Sequence, residues 1–272
     1  NDPIIATVIV DPIFSNSTDA SVECDGVQQI FTITINPSPQ ITNIENNQTI
    51  CSEDSSTLVE WTSSIVNGTL TTYNWTLASW TANLAGFLAD PGTGDLPVFP
   101  PVTNSSNSIG ELVYEVTPSS LGCTGTPFLY SIFVNPVIAI TNTEVYQKLC
   151  SGDTTVEVVW ENSNDALLVS YEWELDATTV PAGTTGLEID GTGDLSVMTV
   201  TITDIVTANI DYIVTPIFDS CEGTPFTYTL VVDPRPIMDP ILPQTICGGT
   251  AFTTPVLGAD VVGTDFTWVL LD

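Results

Sequence analysis

Histidine is missing from this sequence altogether, and among 272 residues only Lys148 and Arg235 are basic, against 33 acidic ones. A nucleophilic triad needs a base, usually histidine, so that chemistry has no anchor here. Zinc sites draw on His and paired Cys, and none of the six cysteines falls in a C-x-x-C pair. Nucleic acid is excluded as a partner, because binding it requires Lys or Arg to neutralise phosphates. A bare anionic membrane is not expected as a partner for the same reason. No apolar run reaches the ~18 residues that span a bilayer, so membrane insertion is not expected. No long segment carries the 3.6-residue period of a helix, which leaves a phosphate-binding loop without the helix it would open. With so many carboxylates some pair will approach by chance, so paired acids alone do not argue for glycoside hydrolysis. The sequence is read as that of a protein that is not an enzyme.

What is present is repetition. Cys24, Cys123 and Cys221 follow one another at a period close to one hundred residues, and so do Cys51, Cys150 and Cys247. Strand-like runs closing on proline recur in step: FTITINP to Pro37, LYSIFVNP to Pro136 and TYTLVVDP to Pro234. A fixed long period marks an array of domains. The divisions read as 1–37, the C-terminal part of a repeat; 38–136 and 137–234, two complete repeats; and 235–272, the N-terminal part of another. The partial ends suggest a window cut from a longer protein.

The apolar residues, 43% of the chain, alternate. In the first complete repeat a strand is expected near Ile41–Glu45, and another with Thr57, Val59 and Trp61 pointing inward. A third carries Tyr73, Trp75 and Leu77, and the last two carry Leu112, Tyr114, Val116 and then Phe128, Tyr130, Ile132, Val134. The second repeat copies the pattern with Val156, Val158, Trp160, then Tyr171, Trp173, Leu175, then Tyr212 and Val214. About seven short alternating strands per hundred residues predict an all-β fold of tandem immunoglobulin-like sandwiches. Trp75, Trp173 and Trp268 occupy the third-strand position where such sandwiches bury a tryptophan. Tyr114 and Tyr212 stand two residues before the sixth-strand position usually held by cysteine, here Val116 and Val214. All five are read as core. The N-terminal partial repeat departs, with Val8 at the tyrosine position.

The combination of Q-T-I-C-S/G, Y-x-W, Y-x-V-T-P, G-C-x-G-T-P-F and V-N-P resembles the PKD-like repeats of very large secreted surface proteins of Bacteroidota, gliding-motility adhesins and other type IX secretion cargo among them. The resemblance covers nearly the whole chain. It implies export, an extracellular cell-surface location and a stalk or adhesin role, with no catalytic residues. The partners it implies are neighbouring repeats of the same long chain and surface polysaccharide or other cell-surface proteins. Asp153-Thr154-Thr155 resembles the short O-glycosylation motif of the same bacteria, making Thr154 a glycosylation candidate. The N-x-S/T sequons at Asn16, Asn47, Asn67, Asn74 and Asn104 would matter only in a eukaryotic secreted protein.

Asp54 and Asp153 recur after a cysteine, and Asp95 and Asp194 recur in a G-T-G-D-L turn. Such Asp residues either bond backbone or hold Ca²⁺ as a cofactor. The cysteines fit an oxidising compartment. They pair either within repeats, Cys51–Cys123 and Cys150–Cys221, or between repeats, Cys51–Cys221, with the other four then needing partners outside this window. Free thiols are the third option. The between-repeat pairing is favoured, because sandwich topology puts Cys51 and Cys123 at opposite ends of one repeat, beyond the ~7 Å Cα limit for a bridge. The functional reading is a repeat segment of an adhesin or filament stalk; the alternative is a glycan- or Ca²⁺-binding sandwich module.

Overall fold

In the computed structural model, which describes residues 2–16, 18–65 and 71–271, the chain divides into two compact units, Asn1–Pro136 and Val137–Asp272. The described residues contain strands and no helix.

The first unit opens with an antiparallel ribbon, β1 (Ile4–Val10) on β4 (Gln29–Ile35), joined by the short pair β2 (Ile13–Asn16) and β3 (Asp19–Asp25). Ile4, Ile9, Phe31 and Ile35 on this ribbon are exposed. A sandwich follows, built from β5 (Asn47–Cys51), β6 (Thr72–Trp80), β7 (Leu84–Ala85), β8 (Gly92–Thr93), β9 (Thr103–Asn104), β10 (Gly110–Ser120), β11 (Cys123–Thr124) and β12 (Phe128–Asn135). Its main sheet runs β5-β12-β10-β6-β8, with β11 folded back on β10. The first strand of the repeat therefore pairs with the last, and does so in parallel. The second layer is held more sparsely. Residues 53–61 run beside residues 96–102 through the mutual bonds of Val59 and Leu96, and Val102 N–H donates to the Asp54 carbonyl. The second unit repeats this plan with β13 (Tyr146–Cys150), β14 (Ser170–Leu175), β15 (Asp190–Thr192), β16 (Ala208–Phe218), β17 (Cys221–Glu222) and β18 (Phe226–Asp233). Its sheet order is β13-β18-β16-β14-β15, again with a parallel first-to-last pair.

Alternation along the long central strands fills the space between the layers. Leu112, Tyr114 and Val116 from β10 meet Tyr130, Ile132 and Val134 from β12, and Ile210, Tyr212 and Val214 meet Tyr228, Leu230 and Val232 in the second repeat. Trp75 and Trp173 are buried as expected, at 6% and 5% exposure. Each meets the buried tyrosine edge-on, Trp75 with Tyr114 at 6.0 Å and Trp173 with Tyr212 at 5.7 Å between ring centroids. Trp61 and Trp160 pack in the same way against Tyr130 and Tyr228.

Three sequence expectations are corrected. Of residues 41–45 only Ile41 pairs, through a single bridge to Ser63. Thr57 and Val156 point outward, because their backbone N–H groups are taken by the side-chain oxygens of Gln48 and Gln147. Ser56 and Thr155 turn inward instead, and their hydroxyls accept the N–H of Phe99 and Met198. Side-chain groups thus satisfy backbone that a sparse ladder leaves unpaired, and strict alternation is lost there. Trp268 is not core: it is 85% exposed, since residues 235–271 form no strand that would cover it.

The indoles of Trp75 and Trp173 lie against glycine. A Cβ on Gly92 would fall 2.0 Å from the Trp75 ring, and one on Gly191 would fall 2.2 Å from the Trp173 ring. Gly191→Ala therefore forces the ring or the β14–β15 edge to move. The expected loss of stability of the second repeat is about 1–3 kcal/mol, read as a lower denaturant midpoint with the first repeat unchanged.

Candidate functional site

Two positions per repeat carry the sulfur chemistry, and the strands fix where they stand. Cys51 is the last residue of β5 and lies opposite Asn135, the last residue of β12. Cys150 lies in the same way opposite Asp233 at the end of β18. The other cysteine of each repeat follows a tight two-residue hairpin turn. Leu121 and Gly122 both have positive φ, as do Asp219 and Ser220, the geometry that right-twisted strands require of such a turn. Cys123 then pairs with Ser120, and Cys221 with Phe218. Val116 pairs with Phe128, so the hairpin lies beside the start of β12 while Cys51 lies beside its end. Along an eight-residue strand that is a separation on the order of 20 Å, far beyond the reach of a disulfide. Cys51 and Cys221 are disulfide-bonded, whereas Cys24, Cys123, Cys150 and Cys247 are free thiols. Neither within-repeat pair forms.

The hairpin cysteine also has a neighbour from the preceding V-N-P run. The Cys123 sulfur is 3.9 Å from the carbonyl oxygen of Asn36, and the Asn36 amide donates to the Leu121 carbonyl at 3.2 Å. Asn36, Asn135 and Asp233 occupy the same place in successive repeats. One turn further into the hairpin, Gly125 allows the chain of Pro39 to pass close: a Cβ there would meet the Pro39 carbonyl at 1.8 Å, and at Gly223 it would meet Ile138 at 2.1 Å.

Both basic residues are placed at the exit end of the second repeat. Lys148 reaches Asp233 at 3.0 Å, and Arg235 donates to the Ser151 carbonyl at 2.7 Å and pairs with Asp153. The Thr207 hydroxyl and then Lys148 hold the Asp233 carboxyl below the usual carboxylate range, and the Asp233 contact raises Lys148 in turn. These pairs are solvated, so each adds little to stability.

The repeated aspartates take backbone roles that the sequence only half revealed. Asp95 accepts the N–H of Trp61 at 3.0 Å, and Asp194 accepts that of Trp160 at 3.0 Å. Each partner is 34 residues upstream, on the second-layer segment that pairs with Leu96 or Leu195, so this is no local turn cap. Asp153 faces Arg235, and Asp54 is exposed, its backbone carbonyl taken by Val102. Among the described residues no three His, Cys, Asp or Glu side chains gather where they could surround a cation. A groove along β14 and β15 is lined by Glu172, Glu174, Asp190 and Glu222, with no Lys or Arg among its described lining residues. Thr154 is exposed, with its hydroxyl 3.1 Å from that of Thr199. Asn104 is 5% exposed and spends its amide nitrogen on the Ser108 and Val134 carbonyls, so this sequon cannot carry a glycan. Asn47 and Asn74 are exposed, the side chain of Asn16 is not described, and Asn67 lies outside the described residues.

The buried tyrosines close each core. Tyr114 donates to the Leu88 carbonyl at 2.7 Å and Tyr212 to the Glu188 carbonyl at 2.9 Å. Burial raises both hydroxyls, and with the Glu188 charge nearby Tyr212 is pushed up to about 12 from 10.0. Between those two values the unfolded chain gives up this proton and the folded chain keeps it, so stability falls as pH rises. Tyr212→Phe should flatten that alkaline fall in the denaturation midpoint of the second repeat between pH 10 and about 12. An unchanged slope would remove Tyr212 as its source.

The PKD-like domain family model matches residues 48–137 and again residues 147–236. No curated protein matches the sequence. Solved structures that it resembles include the first two immunoglobulin domains of DIP-gamma, at 12% identity over 72% of this chain and 98% of that one, TM-score 0.37. The I9–I11 tandem of titin aligns at 13% identity over 86% of this chain and 94% of that one, TM-score 0.31. Domains EC22–24 of mouse cadherin-23 align at 12% identity over 74% and 67%, TM-score 0.32. With the two matched segments covering most of its length, the chain belongs to the PKD-like domain family, in two tandem copies.

Proposed function

We propose that this chain is a stretch of a long extracellular stalk or surface adhesin, serving adhesion or gliding motility, in which disulfides join successive repeats and Cys51 is bonded to Cys221. The observation that carries the reading is which cysteines are oxidised. Cys51 lies beside Asn135, and Cys123 lies beside Asn36 one repeat earlier. By this rule, shifted forward one repeat, Cys221 would lie beside Asn135, next to Cys51. Cys51 and Cys221 are each disulfide-bonded. Every free thiol occupies one of the same two repeat positions, and its counterpart by this rule would fall outside residues 1–272. Closing a loop of this length would stabilise the folded array by on the order of 5 kcal/mol through the entropy it removes from the unfolded chain.

The role assigned is mechanical. Stapled repeats with short Pro-containing joints hold a distal binding region away from the cell, and the strong negative charge keeps crowded stalks soluble and apart. No residue is assigned a catalytic part. Neighbouring repeats are the main partners, and Thr154 is a site for O-glycosylation. Resemblance to Bacteroidota surface proteins supports the type IX export route and the surface location.

One observation favours the second reading, a module that binds a cell-surface glycan. Trp80 ends β6 with 56% exposure, its ring 6.1 Å from Phe87, and the matching strand of the second repeat stops at Leu175. Glycan-array binding that Trp80→Ala abolishes would favour this reading, and a melting temperature restored by Ca²⁺ after chelation would favour a Ca²⁺ module.

Non-reducing peptide mapping of protein taken from the surface of intact cells tests the stalk. A Cys51–Cys221 peptide is expected, together with antibody labelling of unpermeabilised cells. A Cys51–Cys123 or Cys150–Cys221 peptide, or protein confined to the cell interior, would overturn it.

A further inference from the structure

We infer that the Cys51–Cys221 bond diverts tension around both sandwiches, so that a pull on the ends of the chain leaves residues 52–220 slack; this rests on the pairing proposed above. The covalent path under tension runs from the N-terminus to Cys51, across the disulfide to Cys221, and on to the C-terminus. Residues 52–220 form a closed loop hung on that path. In the first repeat the buried core residues from Val59 to Val134 all lie in the loop, and only Ile50 lies outside it. In the second repeat those from Val158 to Val214 lie in the loop, and Tyr228, Leu230 and Val232 of β18 lie on the path.

The two strands on the path are stretched lengthwise. Tension enters β5 at Asn47 and leaves at its last residue, Cys51; it enters at Cys221 and leaves along β18 past Asp233. An extended strand already rises ~3.3 Å per residue, close to the ~3.3–3.6 Å limit of a taut chain, so neither has length to give. The neighbours that hold them by hydrogen bonds, β12 for β5 and β13 and β16 for β18, belong to the loop and carry no tension. Those bonds are therefore not in series with the force.

Reduction changes the geometry. Tension must then pass through each repeat from its first strand to its last. Because β5 and β12 are parallel, a pull on the start of one and the end of the other shears all their pairings, Ser131–Asn47 through Asn135–Cys51, together. The reduced repeat resists and then opens; the oxidised one is never asked to. The bond thus sets whether a pulled stalk lengthens or holds.

Stretching the full 272-residue chain between its ends by single-molecule force spectroscopy tests this. The same protein is mapped beforehand for its disulfide and compared oxidised, reduced with dithiothreitol, and as Cys51→Ala with Cys221→Ala. The oxidised chain should show no step releasing residues 52–220. The reduced chain, its sheet content checked by circular dichroism, should open in two large steps and extend further by on the order of 600 Å. The same two steps in oxidised protein that carries the mapped Cys51–Cys221 bond would overturn the inference while leaving the pairing intact. A different disulfide in the map would remove the pairing and the inference with it.

Discussion

An indole lying flat against a glycine is the contact around which each repeat is arranged, Trp75 on Gly92 and Trp173 on Gly191. Any side chain at those glycines would lift the edge strand away and open the core beneath. The same turn continues through Gly94 or Gly193, which supply the positive φ that returns the chain, to Asp95 or Asp194. That aspartate takes the N–H of Trp61 or Trp160 in the second layer. One turn, Gly92 to Asp95 or Gly191 to Asp194, therefore seats one tryptophan and ties down the strand bearing the second. The two layers are joined through it where the regular ladder is thin, and Tyr114 and Tyr212 fill the space between.

Much of this was legible in the residues because alternation is strongest where a sheet is buried on one face and flanked by partners. The β10 and β12 pattern, the burial of Trp75 and Trp173, and the placing of Tyr114 and Tyr212 all follow from it. The second layer was less legible. Thr57 and Val156 fit an alternating run but face out, since Gln48 and Gln147 bind their backbone and Ser56 and Thr155 take the inward places. The partner of Asp95 is 34 residues away, and no local pattern announces a bond that the fold alone brings together. Trp268 shows the converse: its motif matches Trp75, but burial depends on neighbouring strands that residues 235–271 do not form.

The same architecture explains why sulfur recurs at two places in each repeat. Parallel pairing of the first strand with the last puts one cysteine at the exit of the repeat, and a tight turn at the other end holds the second. The distance along β12 or β18 forbids them to meet within a repeat. A module built this way suits linkage to neighbours better than the gathering of reactive groups at one point, and its two cations are spent on the exit segment.

Amide hydrogen exchange resolved at Trp61 and Trp160 bears most directly on the turn as the clamp between layers. Both N–H groups should exchange slowly, at rates comparable to the interior of β10 and β16, and Asp95→Ala and Asp194→Ala should speed each one selectively. Exchange at Trp61 and Trp160 as fast as in residues 253–271, with the aspartates intact, would contradict it.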